Sequence, residues 1–220
     1  MGITSRERPI LFSAPMVRAI LEGRKTQTRR VAKVHDAHIP GMISPDGSNC
    51  ARTPQKHIAY CPYGQPGDRL WVRETFALQC DCDGDEPPFS DGRPVQREVI
   101  EDDGEHWLQP HYKASDETPD LTCEHEKCDA DVCVRPWRPS IHMPRWASRI
   151  TLDITGVRLE RVQEISLDDC YAEGISLTDE KRLSQLRFYY ATLWDSINAK
   201  RGFGWDKNPW VWVLEFKRIA

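Results

Sequence analysis

Residues 20–30 of the chain place four cationic side chains beside two threonine hydroxyls. The cations are Arg24, Lys25, Arg29 and Arg30, and the hydroxyls belong to Thr26 and Thr28. A threonine is a poor nucleophile until a base removes its proton, and a lysine acts as a base only when it is neutral. Burial and nearby positive charge both lower the pKa of a lysine. The segment therefore predicts general-base chemistry if Lys25 is buried in a groove that excludes water.

Two other interpretations of this segment compete with catalysis. Cations at the end of a helix complement its dipole, so the segment is also typical of a helix terminus followed by an exposed basic strand. Alternatively, the arginines bind phosphates and aromatic side chains stack on bases, without any reaction. The residue types alone leave these alternatives open.

The elements around this segment are a short helix and three strands. We predict a helix that is capped by Ser13 and ends at Gly23. A strand precedes it at residues 8–13 and another follows at residues 26–34. The sequence RLWVRETFAL predicts one further strand over residues 69–78, because it is rich in aromatic and β-branched residues.

Three side chains outside the basic segment are candidates for lining a groove. Arg73 and Glu74 form a charged pair among apolar strand residues, and such a pair needs a reason to be there. Trp205 follows Gly202 and Gly204 in a predicted loop, where an indole can serve as a stacking platform. We expect the other tryptophans of this region to belong to the core.

The second half of the chain begins with strand material at residues 144–165. Gly156 interrupts this apolar pattern and suggests a turn or a bulge. Ser166 and Asp169 then resemble a capping box at the start of a short helix, which Gly174 ends.

A longer helix is predicted over residues 179–199, and a strand over residues 208–219. The apolar stripe of that helix consists of Leu183, Leu186, Tyr190, Leu193, Trp194 and Ile197. Strands separated by short helices predict an α+β protein built on a small mixed or antiparallel β-barrel.

Length and composition indicate one globular domain over residues 1–220. The 220 residues are 39% hydrophobic and 29% charged, which is typical of a globular protein. No run of eighteen apolar residues and no signal-type segment occurs near the start. We therefore expect a cytoplasmic protein without a membrane partner.

The net charge of −4 hides an acidic segment. Residues 80–131 contain 17 acidic and 4 basic side chains, a local balance of −13, so the remainder carries +9. We interpret residues 79–136, which also carry glycines, prolines and five of the eight cysteines, as an insertion into the core fold. The rest of the molecule has the charge to attract a polyanion.

The insertion also contains candidate zinc ligands. Five thiols and one imidazole have suitable chemistry for tetrahedral zinc. These residues are Cys80, Cys82, Cys123, His125, Cys128 and Cys133. Two interpretations stay open here: the insertion holds a structural zinc, or its cysteines are buried or idle in an acidic loop without a metal. No cofactor is expected to be required for catalysis.

Several segments together resemble an ASCH domain, a branch of the PUA-like superfamily, in the form often seen in bacteriophages and prophages. They are ILEGRKTQTRR, GQPGDRLWVRETF, RPSIHMPRWASRITL, YAEGI and LWDSINAKRGFGWDKNPWVWVLEF. The resemblance implies a PUA-like β-barrel closed by short helices, with a groove near the first helix that binds RNA or a modified pyrimidine nucleoside.

The resemblance also implies residue roles. Some small bacterial members of the family hydrolyse the amide of acetylated cytidine nucleosides with a lysine, a threonine and a glutamate. The lysine and threonine correspond to Lys25 and Thr28, and the glutamate to Glu173 in YAEG. Arg24, Thr26, Arg29 and Arg30, with Arg73, Glu74 and Trp205, are then the candidates for substrate binding.

Strand geometry restricts how these residues can cooperate. In a regular strand Lys25 and Thr28 would point to opposite faces, because side chains alternate with a period of two. Their cooperation requires a turn or bulge just after Gly23; without it Thr26 becomes the competing hydroxyl.

Other activities also fit this family. The protein can be a non-catalytic RNA-binding module or a ribonuclease, since a fold alone does not determine an activity. It can also be a phage assembly or interaction protein in which the acidic insertion is the working surface.

Overall fold

The computed structural model describes residues 5–32, 58–81, 96–100, 104–115, 134–175 and 185–219. Within these ranges the protein is α+β. The strands are β1 (Glu7–Leu11), β2 (Gln27–Val31), β3 (Arg69–Arg73), β4 (Phe76–Asp81), β5 (Gln96–Ile100), β6 (Gly104–Tyr112), β7 (Val134–Arg138), β8 (Thr151–Arg161) and β9 (Trp210–Arg218). The helices are α1 (Ala14–Leu21), α2 (Leu167–Ala172) and α3 (Leu186–Asn198).

The chain divides into two compact units. The first comprises Met1–Arg8, Ala19–Arg69 and Leu152–Arg218, and the second comprises Pro9–Arg18, Leu70–Thr151 and Ile219–Ala220. Each unit has its own hydrophobic cluster, and the single domain over residues 1–220 stays a prediction.

The five-stranded sheet has β9 as an inner strand. This strand pairs antiparallel with β8 on one side and with β2 on the other. The complete strand order is β1-β3-β8-β9-β2. Among the described residues this order ends at β1 and β2 without closing, so the predicted barrel is not confirmed.

A bulge in β8 makes room for a charged side chain. The register between β8 and β9 shifts between Ile154 and Gly156, which confirms the irregularity predicted at this glycine. A Cβ atom on Gly156 would collide with the Glu215 carboxylate. The glycine therefore allows β9 to carry an acidic side chain at this position.

The first hydrophobic cluster lies between the two later helices and β9. Its buried residues are Val162, Ile165, Cys170, Leu186, Tyr190, Trp194, Val211 and Val213. The α3 stripe was predicted correctly at Leu186, Tyr190 and Trp194. Its last turn was wrong, because Asn198 is buried there whereas Ile197 is 47% exposed.

The second unit contains a four-stranded sheet of order β5-β6-β4-β7. All of its neighbouring strands are antiparallel. The segment interpreted as an insertion, residues 79–136, therefore contributes β5, β6 and parts of β4 and β7. Its cluster of buried residues is Phe76, Leu78, Leu108, Tyr112, Met143 and Ala147.

The single strand predicted over residues 69–78 is two strands, β3 and β4. The break falls at Glu74, whose side chain is buried and accepts two hydrogen bonds of 3.0 Å from Arg149. The backbone N–H of Glu74 donates to the Met143 sulfur at 3.3 Å. The chain thus leaves strand geometry at Glu74, where the buried carboxylate forms an ion pair with Arg149.

Candidate active site

A turn after α1 delivers Lys25 to the interior of the first unit. Gly23 has a left-handed φ of +75°, a conformation that glycine adopts without steric cost. Two residues later, the Lys25 N–H donates to the Ala19 carbonyl at 2.9 Å, and Lys25 forms an isolated antiparallel bridge with Glu173. Regular strand geometry begins only at Gln27.

The helix α2 positions Glu173 at its C-terminal end. Ser166 caps this helix by accepting from the Asp169 N–H at 3.0 Å, and the Asp169 carboxylate accepts from the Ser166 N–H at 3.1 Å. The predicted capping box is therefore confirmed. The helix ends where predicted, because Gly174 has a φ of +88°.

Gly174 also lets two elements approach closely. A Cβ atom built on it would lie 3.0 Å from the Cβ atoms of both Ala19 and Lys25. This contact is tighter than side chains normally make, so the absence of a side chain at Gly174 brings the end of α2 against Lys25.

Lys25 and Glu173 form a buried ion pair. The Lys25 Nζ lies 2.7 Å from Glu173 Oε2 and 2.8 Å from the Glu173 carbonyl oxygen. The Lys25 side chain is 0% exposed and that of Glu173 is 5% exposed. Burial lowers the pKa of Lys25 below its usual value, although the Glu173 carboxylate opposes this shift. The amine is therefore easier to deprotonate than that of an ordinary lysine.

Arg29 occupies the other oxygen of the same glutamate. Its guanidinium lies 3.4 Å from Glu173 Oε1, 3.0 Å from Asp169 Oδ2 and 3.2 Å from Glu160 Oε2. Burial alone would lower the pKa of Arg29, but these carboxylates, Glu173 first, outweigh burial and raise it. Each oxygen of Glu173 thus faces one cation, Lys25 or Arg29.

Arg158 extends this network and was not predicted as a site residue. Its guanidinium contacts Glu160 at 2.7 Å and Asp169 at 3.2 Å, and it also pairs with Glu215. The available signal was the alternation along β8, where Arg158 and Glu160 share one face between apolar neighbours. Such charges on a partly buried strand require partners.

Asp169 is the acidic centre shared by the two arginines. Burial alone would raise the pKa of its carboxyl group. The hydrogen bond from the Ser166 backbone and the charge of Arg29 outweigh burial and lower that pKa to about 2. Asp169 therefore remains a carboxylate at neutral pH and holds the start of α2 to β2.

The two threonines of the motif differ in exposure. Thr28 is buried, and its Cα lies opposite Leu214 in the β2–β9 ladder. Thr26 is exposed, and its backbone bonds to Ala172 and Phe216. Within β2, alternation places Thr28 on the face opposite Arg29. Burial thus favours Thr28 over Thr26 as the hydroxyl of a site.

The two remaining cations of the motif, Arg24 and Arg30, differ in exposure. Arg24 is exposed and bonds to Glu22 at 2.7 Å and to the Gly174 carbonyl at 3.0 Å. Arg30 is half-buried; burial lowers its pKa, and Tyr63 is the largest influence that opposes this shift. Their roles in substrate binding stay predictions.

Trp205 lines a cavity on the surface of α3. Its ring meets Tyr190 edge to face, with centroids 6.1 Å apart. The cavity measures about 450 Å³ and is lined by Arg187, Phe188, Ala191, Thr192, Asp195 and Trp205. Arg73 and Glu74 belong to the second unit, where the Arg73 Nε donates to the Met143 carbonyl at 3.0 Å.

The zinc prediction lies almost entirely outside the described residues. Of the six candidate ligands, Cys80 falls in the backbone of β4, and the other five lie outside the described ranges. Among the residues that are described, no group of three or more His, Cys, Asp or Glu side chains could hold a metal ion. Zinc binding by the insertion stays a prediction.

Comparisons with known proteins identify no relative. No family model matches the chain, and neither a curated protein nor a solved structure matches it. Across the described part of the chain, every helix is too short or too polar to cross a bilayer. The ASCH motif therefore stands as a resemblance carried by the residues quoted above.

Proposed function

We propose that the protein is a PUA-like ASCH protein that hydrolyses the amide of an acylated cytidine nucleoside, with Lys25 and Glu173 as its working pair. The observation that carries this proposal is their buried contact of 2.7 Å between residues 148 positions apart in the chain. These are the two positions onto which the resemblance maps a catalytic lysine and glutamate.

The architecture supports the PUA-like part of the proposal. The protein combines β-sheets with short helices, and the turn at Gly23 leads from α1 to Lys25, just before β2. A PUA-like barrel requires curvature in such a sheet, and the bulge at Gly156 is a usual source of it.

The proposed reaction needs a base, a nucleophile and a proton for the leaving amine. Neutral Lys25 takes a proton from water as the water oxygen attacks the acyl carbon. The carbon–nitrogen bond then breaks, and the proton passes from the Lys25 ammonium to the amine of cytidine. The products are the free carboxylic acid and the nucleoside. Glu173 orients the Lys25 amine through Oε2 throughout.

Water is the nucleophile in this scheme because of the direction of Thr28. Lys25 and Arg29 converge on one carboxylate, and the alternation of β2 turns Thr28 to the face opposite Arg29. An acyl ester on Thr28 is therefore not expected, and intact-mass measurement during turnover would detect one.

Access to Lys25 requires movement. Its side chain is fully enclosed, so an acylated nucleoside reaches the amine only when part of the surrounding shell opens. Such opening is common in enzymes that exclude water from their reaction centre. The enclosure also explains why the amine has a lowered pKa before any substrate binds.

The test is to incubate purified protein with a panel of acylated nucleosides and with RNA, and to follow products by mass. We expect release of cytidine from its acetylated form, with a rate that falls about 10²–10⁴-fold in Lys25→Met. Lys217→Met, which changes an exposed lysine of the same unit, is the matched control and should retain the rate.

Two results would overturn the proposal. One is the absence of product from every acylated nucleoside in the panel. The other is a full rate in a folded Lys25→Met variant. Salt-sensitive RNA binding without any product would instead favour the non-catalytic RNA-binding module.

A further inference from the structure

The second unit carries a strongly basic and aromatic segment that the catalytic proposal does not use. Residues 134–149 contain four arginines, two tryptophans and one histidine, and no acidic residue. In a chain with a net charge of −4, this is a marked local excess of positive charge. Surfaces of this composition attract phosphate groups.

Much of this segment is exposed. Trp137 is 36% exposed and Ile141 is 56% exposed, and the side chains of Arg138, His142 and Arg145 are exposed as well. Within the described ranges, Arg138 forms no ion pair. Trp137 and Arg138, consecutive in the chain, thus offer an exposed indole and an exposed guanidinium, the two groups that base stacking and phosphate binding require.

A bulge in β7 accounts for the exposure of Trp137. In the ladder with β4, Arg138 lies opposite Phe76 and Arg135 lies opposite Leu78. Three steps along β7 thus match two steps along β4, so one extra residue is inserted next to Trp137. Bulges redirect side chains, and β7 is the end strand of its sheet, where an indole can point away from the core.

A second indole of the same unit, that of Trp71, is already held by cations. The Arg73 guanidinium carbon lies 5.2 Å from the centroid of the Trp71 ring, and that of Arg145 lies 5.9 Å from it. Arg73 also donates to the carbonyl of Met143, within the segment between Trp137 and Arg145. We name Trp71, Arg73, Trp137, Arg138 and Arg145 the Arg–Trp surface.

One arginine of the segment, Arg149, has a structural role and is not part of the Arg–Trp surface. Arg149 pairs with the buried Glu74 carboxylate, and its guanidinium carbon lies 3.8 Å from the centroid of the Tyr112 ring. The requirements of the core therefore account for Arg149. They do not account for Trp137 and Arg138, which are exposed at the end of β7.

We propose that the Arg–Trp surface binds single-stranded nucleic acid, with Arg138 and Arg145 on phosphates and Trp137 stacked on a base. An acidic peptide would satisfy the cations but would leave the exposed indole without a role. A duplex would satisfy the cations while keeping its bases stacked on one another. Every residue of the surface belongs to the second unit and Lys25 belongs to the first, so different substitutions test the two proposals.

The experiment measures fluorescence anisotropy with labelled twelve-nucleotide RNA, the same sequence as DNA, and the corresponding duplexes, each over a range of salt. Trp137→Ala should weaken single-strand binding about 5–150-fold, the equivalent of one lost stacking contact. Arg138→Ala should reduce the slope of log K against log salt by about one, whereas Arg138→Lys should keep it.

Controls separate this proposal from a folding defect and from the catalytic proposal. Arg69→Ala removes an exposed arginine of the first unit, and Lys25→Met removes the proposed base; both should bind like the wild type. Wild-type affinity in a folded Trp137→Ala/Arg138→Ala double variant would overturn the proposal. Tighter binding of polyglutamate or of duplex than of the single strands would also overturn it. Comparison of the RNA with the DNA of the same sequence shows which single strand is preferred.

Discussion

At the scale of single residues, burial determines the chemistry of Lys25 more than neighbouring charge does. The sequence predicted that adjacent arginines lower the pKa of this lysine. In the structure the largest cause of that lowered pKa is burial, Glu173 opposes it, and Arg30 and Arg29 contribute less. The arginine Arg29 instead has three carboxylate partners of its own.

Replacing Glu173 by glutamine should destabilise the protein by about 3–5 kcal/mol, because a buried cation then loses its partner. The loss should shrink as the pH rises. A lysine whose pKa is lowered on folding binds more protons when unfolded, so stability increases with pH between the folded value and 10.5. Urea unfolding at pH 6 and pH 9 measures both effects.

A second substitution makes this prediction specific to the ion pair. Lys25→Met combined with Glu173→Gln removes both charges and should recover much of the lost stability. If the double variant is as unstable as the sum of the single variants, Lys25 and Glu173 are not energetically coupled.

The residues of the site were only partly predictable from the sequence. Lys25 and Glu173 were named through the family motif, whereas Arg158 was missed and Asp169 was recognised only as a helix cap. Their contacts depend on the register of β8 against β9 and on how α2 lies over β2. A single sequence does not contain that information, because pairing between distant segments leaves no local pattern.

At the scale of elements, the short connections at both ends of the site are fixed by glycines. Gly23 turns the chain from α1 towards Lys25, and Gly174 ends α2 directly against that lysine. Both have positive φ values, but their surroundings differ. The space around a Cβ atom at Gly23 is open to 4 Å, whereas at Gly174 it is occupied by Ala19 and Lys25.

Gly174→Ala should therefore destabilise the protein more than Gly23→Ala does. Each substitution introduces strain at a left-handed position, of about 1–3 kcal/mol. Only the first adds a steric clash that separates α2 from Lys25. Thermal unfolding of the two variants compares them directly, and equal losses would show that the close contact at Gly174 has no energetic weight.

Local patterns predicted the elements of the first unit well and failed where tertiary contacts override them. The cap at Ser166, the bulge at Gly156 and the stop at Gly174 each follow from local residue chemistry. The break at Glu74 follows instead from a distant arginine, Arg149, which draws the carboxylate inward. The strands β5, β6 and β7 were missed because acidic residues, glycine and proline obscured their pattern.

At the scale of the whole molecule, charge is divided along the chain rather than spread evenly. Residues 80–131 carry a balance of −13, and the remainder carries +9. The acidic stretch also contains the candidate metal ligands. Two chemically different parts therefore share one polypeptide, and the net charge of −4 describes neither of them.

Elemental analysis of the purified protein should find about one zinc ion per chain if the insertion uses its thiols as a tetrahedral site. Cys123→Ser combined with Cys128→Ser should abolish the zinc content, while Cys50→Ser, outside the candidate set, should leave it unchanged. A metal-free wild-type sample prepared without chelators would contradict the prediction.

The position of β9 in its sheet has a consequence for biosynthesis. β2, which follows the lysine, pairs with β9, the strand most distant from it in the sequence. On the ribosome Thr28 emerges 186 residues before Leu214, its partner along the ladder. Contacts of such long range form slowly. The nascent chain must therefore keep a basic, threonine-rich stretch unpaired while the residues between β2 and β9 are made, an interval in which a chaperone has the opportunity to bind.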